Sequence, residues 1–111
     1  MLRLTSPDDI PTILAADAAI VFKNSMTCPI SAAARREMQT LLDRRPDTPL
    51  YLVDVHQAVM LSEELADQTG IEHESPQVIV FSRGAPVWHA SHYAVRAADV
   101  ERVLERSAAE R

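Results

Sequence analysis

The sequence predicts an α/β fold: a mixed four-stranded sheet with helices on both faces. Three observations predict it. Two short apolar runs, residues 18–23 and 50–55, are separated by a stretch of helical periodicity. That is the pattern of a parallel strand–helix–strand crossover. Two further runs, residues 77–81 and 86–90, flank Ser82-Arg83-Gly84-Ala85 and read as an antiparallel hairpin. A length of 111 residues suits one domain spanning residues 1–111.

Each element has its own local signals. Ser6-Pro7-Asp8-Asp9 is a helix start, with a capping serine, a proline at the first position and early acids. Pro11 interrupts it by removing a backbone bond, so a short helical piece ends before Asp17. Ala18-Ala19-Ile20-Val21-Phe22 then reads as a buried strand. Residues 29–45 carry Ile30, Ala34, Met38, Leu41 and Leu42 on one helical face, with Pro46 as terminator. Leu50-Tyr51-Leu52-Val53-Asp54-Val55 is the second apolar strand. Residues 57–69 form a helix that turns Val59, Leu61 and Leu65 inward and stops at Gly70. After the hairpin, residues 97–108 form a last helix with Val100, Val103 and Leu104 facing in.

Composition narrows the function classes. An apolar fraction of 47% and a charged fraction of 24% are ordinary for a globular protein. The net charge of −5 argues against nucleic acid or an anionic membrane as partner. No apolar run reaches spanning length, and the N-terminus lacks a signal pattern. A single cysteine excludes an intramolecular disulfide. A reducing cytoplasm is the expected compartment. Neither glycine, Gly70 or Gly84, belongs to a phosphate-cradling loop.

That single cysteine is the most informative residue. Cys28 sits in Thr27-Cys28-Pro29-Ile30-Ser31, between the first strand and the helix that follows. Pro29 suits the first helical position, which puts Cys28 at the N-cap. There the orphan N–H groups and the positive helix end, roughly half an elementary charge, favour thiolate over thiol. Thiolate is the reactive species. A second cysteine three residues on would complete a dithiol, but position 31 is Ser31. The pattern predicts thiol–disulfide exchange with one sulfur, against the plainer reading of a small buried cysteine.

The element order, with a cysteine capping the helix after the first strand, resembles the thioredoxin fold. Ser75-Pro76 ahead of the hairpin matches the cis-proline that faces the active cysteine in that fold. The resemblance implies that Ser75 offers backbone groups to an extended substrate segment. Four blocks carry a closer likeness: Val21-Phe22-Lys23-Asn24-Ser25, Thr27-Cys28-Pro29-Ile30-Ser31, His73-Glu74-Ser75-Pro76-Gln77 and Trp88-His89-Ala90-Ser91-His92. Together they resemble the YtxJ-type bacilliredoxins, or bacilliredoxin C, over nearly the whole chain. Asn24 stands where many relatives have histidine.

The resemblance implies an oxidoreductase that removes bacillithiol from protein mixed disulfides. Cys28 is the expected nucleophile, with Thr27, Pro29, Ser31 and His73 as residues supporting the thiolate. Ser75, Pro76 and His92 are the expected substrate-binding residues. Bacillithiol is the co-substrate, no permanently bound cofactor is expected, and the partners are S-bacillithiolated client proteins met by a monomer. Two other classes fit one cysteine: a monothiol glutaredoxin-like iron–sulfur carrier, and a non-catalytic binding module of the same fold. A cluster needs four ligands, mostly thiolates, hence two chains and two small thiols.

Plainer readings stand beside several of these residues. Ser31 is either a helix-surface serine or a hydroxyl that stabilises the thiolate. His73 either approaches Cys28 or makes a structural hydrogen bond. The spacing His89-x-x-His92 invites a metal, but no acid or cysteine adjoins it, so no metal site is expected. Trp88 reads as core, and Glu63-Glu64 as a solvated face.

Overall fold

A computed structural model describes residues 1–27 and 29–110. The strands are β1 (Leu2–Arg3), β2 (Ala18–Asn24), β3 (Leu50–Asp54), β4 (Gln77–Ser82) and β5 (Ala85–Ser91). The helices are α1 (Ile10–Ala15), α2 (Pro29–Arg44), α3 (Val59–Thr69) and α4 (Ala97–Ala109). Two 3₁₀ turns, Pro7–Asp9 and His92–Ala94, precede α1 and α4.

The sheet has five strands in the order β1-β3-β2-β4-β5, which corrects the expected four. The extra strand is β1, parallel to β3, with Leu2 opposite Tyr51 and Arg3 opposite Leu52. Leu4 N–H continues the ladder to the Leu52 carbonyl at 2.9 Å. Two residues are too short to show any alternation, so the strand exists only because β3 offers it an edge. The pair β2–β3 is parallel, and β2–β4 and β4–β5 are antiparallel. This is a mixed sheet with the expected crossover and hairpin.

Successive side chains of β2 point to opposite faces, so the strand feeds two cores. Ile20 and Phe22 pack with Met38 and Leu41 of α2 and Val100 and Val103 of α4. Ala19 and Val21 pack with Ile13 of α1 and Leu61 and Leu65 of α3. Because β2 is covered on both faces, it reads as a continuous apolar run. Truncating a fully buried side chain such as Met38 to alanine costs about 2–5 kcal/mol.

Pro11 is accommodated rather than disruptive. The chain starts as a 3₁₀ turn capped by Ser6, and α1 begins at Ile10. Pro11 therefore falls in the first turn, where a missing N–H leaves no bond unmade. Gly70 ends α3 with φ +72°, the left-handed cap the sequence implied.

Candidate active site

Sheet register brings the candidate residues to one end of the molecule. Lys23 near the end of β2 pairs with Gln77 at the start of β4, and Asn24 pairs with Asp54 at the end of β3. Gln77 pairs in turn with Ser91 at the end of β5. The segments that leave this end are 25–27, 55–58, 72–76 and 92–94. Helix α2 starts from it at Pro29. The N-cap position of Cys28 and its approach to the Pro76 turn lie outside the described residues.

Ser25 is the hub of the segment that enters Cys28. Its buried Oγ lies 2.9 Å from His56 Nε2 and 3.1 Å from Thr27 Oγ1. His56 is itself fixed by its backbone N–H, which donates to Asp54 Oδ1 at 3.0 Å. The residue immediately before Cys28 is thus tied through one hydroxyl to an imidazole from the β3–α3 connection. Sequence reasoning passed over His56, because a partner 31 positions away leaves no local signal.

A second braced contact lies on the other side of β2. Lys23 is fully buried, and its Nζ lies 3.0 Å from His73 Nδ1. An ammonium only donates, so His73 Nδ1 is the acceptor and its proton sits on Nε2. Burial pushes the Lys23 ammonium down to about 8. Burial first, and then the Lys23 charge, hold His73 below the ordinary histidine range. Among the described residues His73 therefore makes the structural bond.

The turn after His73 is held from both sides. Ser75–Pro76 is cis. Buried Gln77 donates from Nε2 to the Glu72 carbonyl at 2.9 Å, and the same atom lies 3.4 Å from Ser91 Oγ. His92 N–H donates to the Pro76 carbonyl at 2.8 Å. His92 adopts φ +57°, a left-handed conformation that histidine enters more readily than most residues. Its Nε2 lies 3.5 Å from Glu74 Oε2.

Several side chains here have unmet polar capacity. Ser31 is fully buried on the first turn of α2, so the surface reading of it is wrong. Ser31 Oγ, Ser75 Oγ, Asn24 Oδ1 and Gln77 Oε1 are buried without a hydrogen-bond partner among the described residues. Buried polar groups are normally paired. Thr27 and Pro29 are exposed. His89 is exposed and Trp88 is partly buried against the α2–α4 core. No group of three His, Cys, Asp or Glu side chains is placed to hold a metal among the described residues.

Residues 2–100 match the family described as monothiol bacilliredoxin BrxC. The chain belongs to the monothiol bacilliredoxins. A solved structure described as a candidate oxidoreductase with a thioredoxin fold is similar at 32% identity and a TM-score of 0.87, over 93% of this chain and 92% of that one. Thioredoxin from Fasciola hepatica is similar at 17% identity and a TM-score of 0.74, over 96% of this chain and 99% of that one. Mitochondrial thioredoxin 3 from Saccharomyces cerevisiae matches at 12% identity and a TM-score of 0.74, over 96% and 94%. The last two establish the fold alone.

A thioredoxin-like bacilliredoxin with one cysteine is a thiol-redox protein. No helix among the described residues is long and apolar enough to cross a membrane. In this bacilliredoxin the braces on Thr27, His73 and the Pro76 turn come from three different inter-element contacts. Each fixes a loop at the end of the sheet where α2 begins at Pro29.

Proposed function

We propose that this bacilliredoxin removes bacillithiol from protein mixed disulfides through Cys28. The observation that supports this is the convergence of the Pro29 helix start and the Ser75–Pro76 turn at one sheet end, fixed by the pairing of Lys23 with Gln77. A lone thiol in that setting suits exchange through a single sulfur. Cys28 thiolate attacks the bacillithiol sulfur of the client's mixed disulfide. The old S–S bond breaks, a Cys28–bacillithiol disulfide forms, and the client leaves as thiolate and takes a proton. No internal cysteine can resolve the adduct, because position 31 is Ser31. A second bacillithiol thiolate then attacks it, releasing Cys28 thiolate and bacillithiol disulfide.

The rate depends on thiolate fraction, nucleophilicity and leaving-group pKa together. A thiol tuned close to ambient pH serves best. Thr27, Pro29, Ser31 and His73 support the thiolate in this reading, and Ser75, Pro76 and His92 receive the client and the small thiol. The protein works as one domain and a monomer, in a reducing cytoplasm.

The test is intact mass after incubation with bacillithiol disulfide, alongside release of free thiol from an S-bacillithiolated client. One adduct per chain at Cys28, lost in Cys28→Ser, is the expected result. An unmodified chain after complete mixing overturns the reading.

A further inference from the structure

We propose that Met26 is a peroxide-sensitive modification site whose sulfoxide is received by Asn24 and Arg35. The site does not draw on the thiol chemistry assigned to Cys28. Met26 lies in the connection between β2 and α2, and it is 51% exposed. Two N–H donors reach its sulfur from different elements. Asn24 Nδ2, at the end of β2, lies 3.5 Å from Sδ, and Arg35 Nη1, on α2, lies 3.4 Å from it. Among the described residues, Met26 is the one methionine whose sulfur receives such donors.

The arrangement suits a sulfoxide better than a thioether. A thioether sulfur is a weak acceptor. Asn24 is fully buried, so its amide cannot turn to water for a better one. Arg35 brings a permanent positive charge. Oxidation puts a strongly accepting oxygen beside both donors. The sulfur lone pair attacks one oxygen of hydrogen peroxide, the S–O bond forms and the O–O bond breaks. The sulfur gives up two electrons, and hydroxide departs. The proton of the new S–OH group passes to that hydroxide, leaving sulfoxide and water. Thiol-dependent reduction of methionine sulfoxide is the class of reaction that restores the thioether.

Exposure alone gives a different order of reactivity. Met60 is 72% exposed and Met1 43%, while Met38 is fully buried. On exposure, Met60 oxidises first. The donors place Met26 first instead. Negative charge builds on the sulfoxide oxygen and on the departing hydroxide, and a guanidinium beside the sulfur stabilises both.

The test treats the protein with dilute hydrogen peroxide, reduces oxidised Cys28 with dithiothreitol, and follows each methionine by peptide mass. Trypsin places the four methionines in four different peptides. Met26 should oxidise at least about threefold faster than Met60, part of what one hydrogen bond to a charged group supplies. In urea the two rates should become equal. Arg35→Leu should bring the ratio down toward the order of exposure, and Arg35→Lys, which keeps the charge, should retain part of it. Cys28→Ser should keep the full ratio, because the thiol takes no part. Met60 reacting as fast as Met26 in the native protein overturns the site. So does a ratio that persists in urea, that Arg35→Leu leaves unchanged, or that Cys28→Ser abolishes.

Discussion

Lys23 Nζ lies 3.0 Å from His73 Nδ1, which joins the end of β2 to the segment that runs into Pro76. The two residues are 50 positions apart, and the lysine is completely covered. A buried ammonium is costly even when paired, because its partner here is a neutral ring and not a carboxylate.

Stability should therefore carry a signature of Lys23. Its pKa falls on folding from 10.5 to about 8. Below pH 8 both states are charged, and the folded state bears the full desolvation penalty. Between pH 8 and 10.5 the unfolded chain holds more protons, so stability rises with pH. The shift bounds the effect at about 3 kcal/mol, less where water reaches the head group. Lys23→Met should be as stable as the native protein at pH 7, or more stable by up to about 3 kcal/mol. That advantage should shrink as pH approaches 10.5 in urea denaturation. A variant weaker at pH 7 than at pH 10, relative to native, would show that the His73 bond outweighs burial.

Ser31 offers a cleaner separation of stability from chemistry. Its hydroxyl is buried and unpaired among the described residues, so Ser31→Ala should change stability by less than about 1 kcal/mol. If the hydroxyl supports the thiolate, the same change raises the pH at which Cys28 becomes alkylatable. Ser31→Cys should close an internal disulfide with Cys28 and release a bound small thiol without a second one, read by intact mass. A persistent adduct in Ser31→Cys would remove Ser31 from the thiol's neighbourhood.

His56 is expected to position Thr27 through Ser25. In His56→Ala, alkylation of Cys28 should shift in rate at fixed pH, while His56→Gln, which keeps a hydrogen-bonding group toward Ser25 Oγ, should restore much of it. Ser25→Ala should behave like His56→Ala, and the double variant should add little, since both act through one chain of bonds. Fully additive losses would show that the two residues act separately.

The hairpin turn gives a prediction about the fold itself. Arg83 and Gly84 have φ +51° and +82°, the two positive values that a tight two-residue hairpin turn requires. A Cβ at Gly84 would also lie 3.1 Å from the Leu14 carbonyl oxygen. Gly84→Ala should lose about 1–2 kcal/mol in denaturant melts, with exchange chemistry at the far end of the sheet unaffected. An alanine variant as stable as the native protein would mean that the turn and α1 relax together.

The sequence by itself determined the elements whose signals are local. The runs of β2, β3 and β4 are legible because strands buried on both faces are apolar throughout. Helix α2 is bounded by Pro29 and Pro46, α3 by Gly70, and the hairpin by Arg83-Gly84. The order of these elements, with one cysteine ahead of Pro29, resembles the thioredoxin fold, and four short blocks taken together carry the likeness to the bacilliredoxins. Tertiary structure alone decided β1, whose two residues depend on the edge of β3. It also decided that Lys23 is buried against His73, that His56 reaches Ser25, and that Ser31 faces inward. The physical reason is the same for each. A periodic apolar pattern is written in neighbouring residues, whereas a hydrogen bond between positions 31 or 50 apart exists only after sheet register has been set.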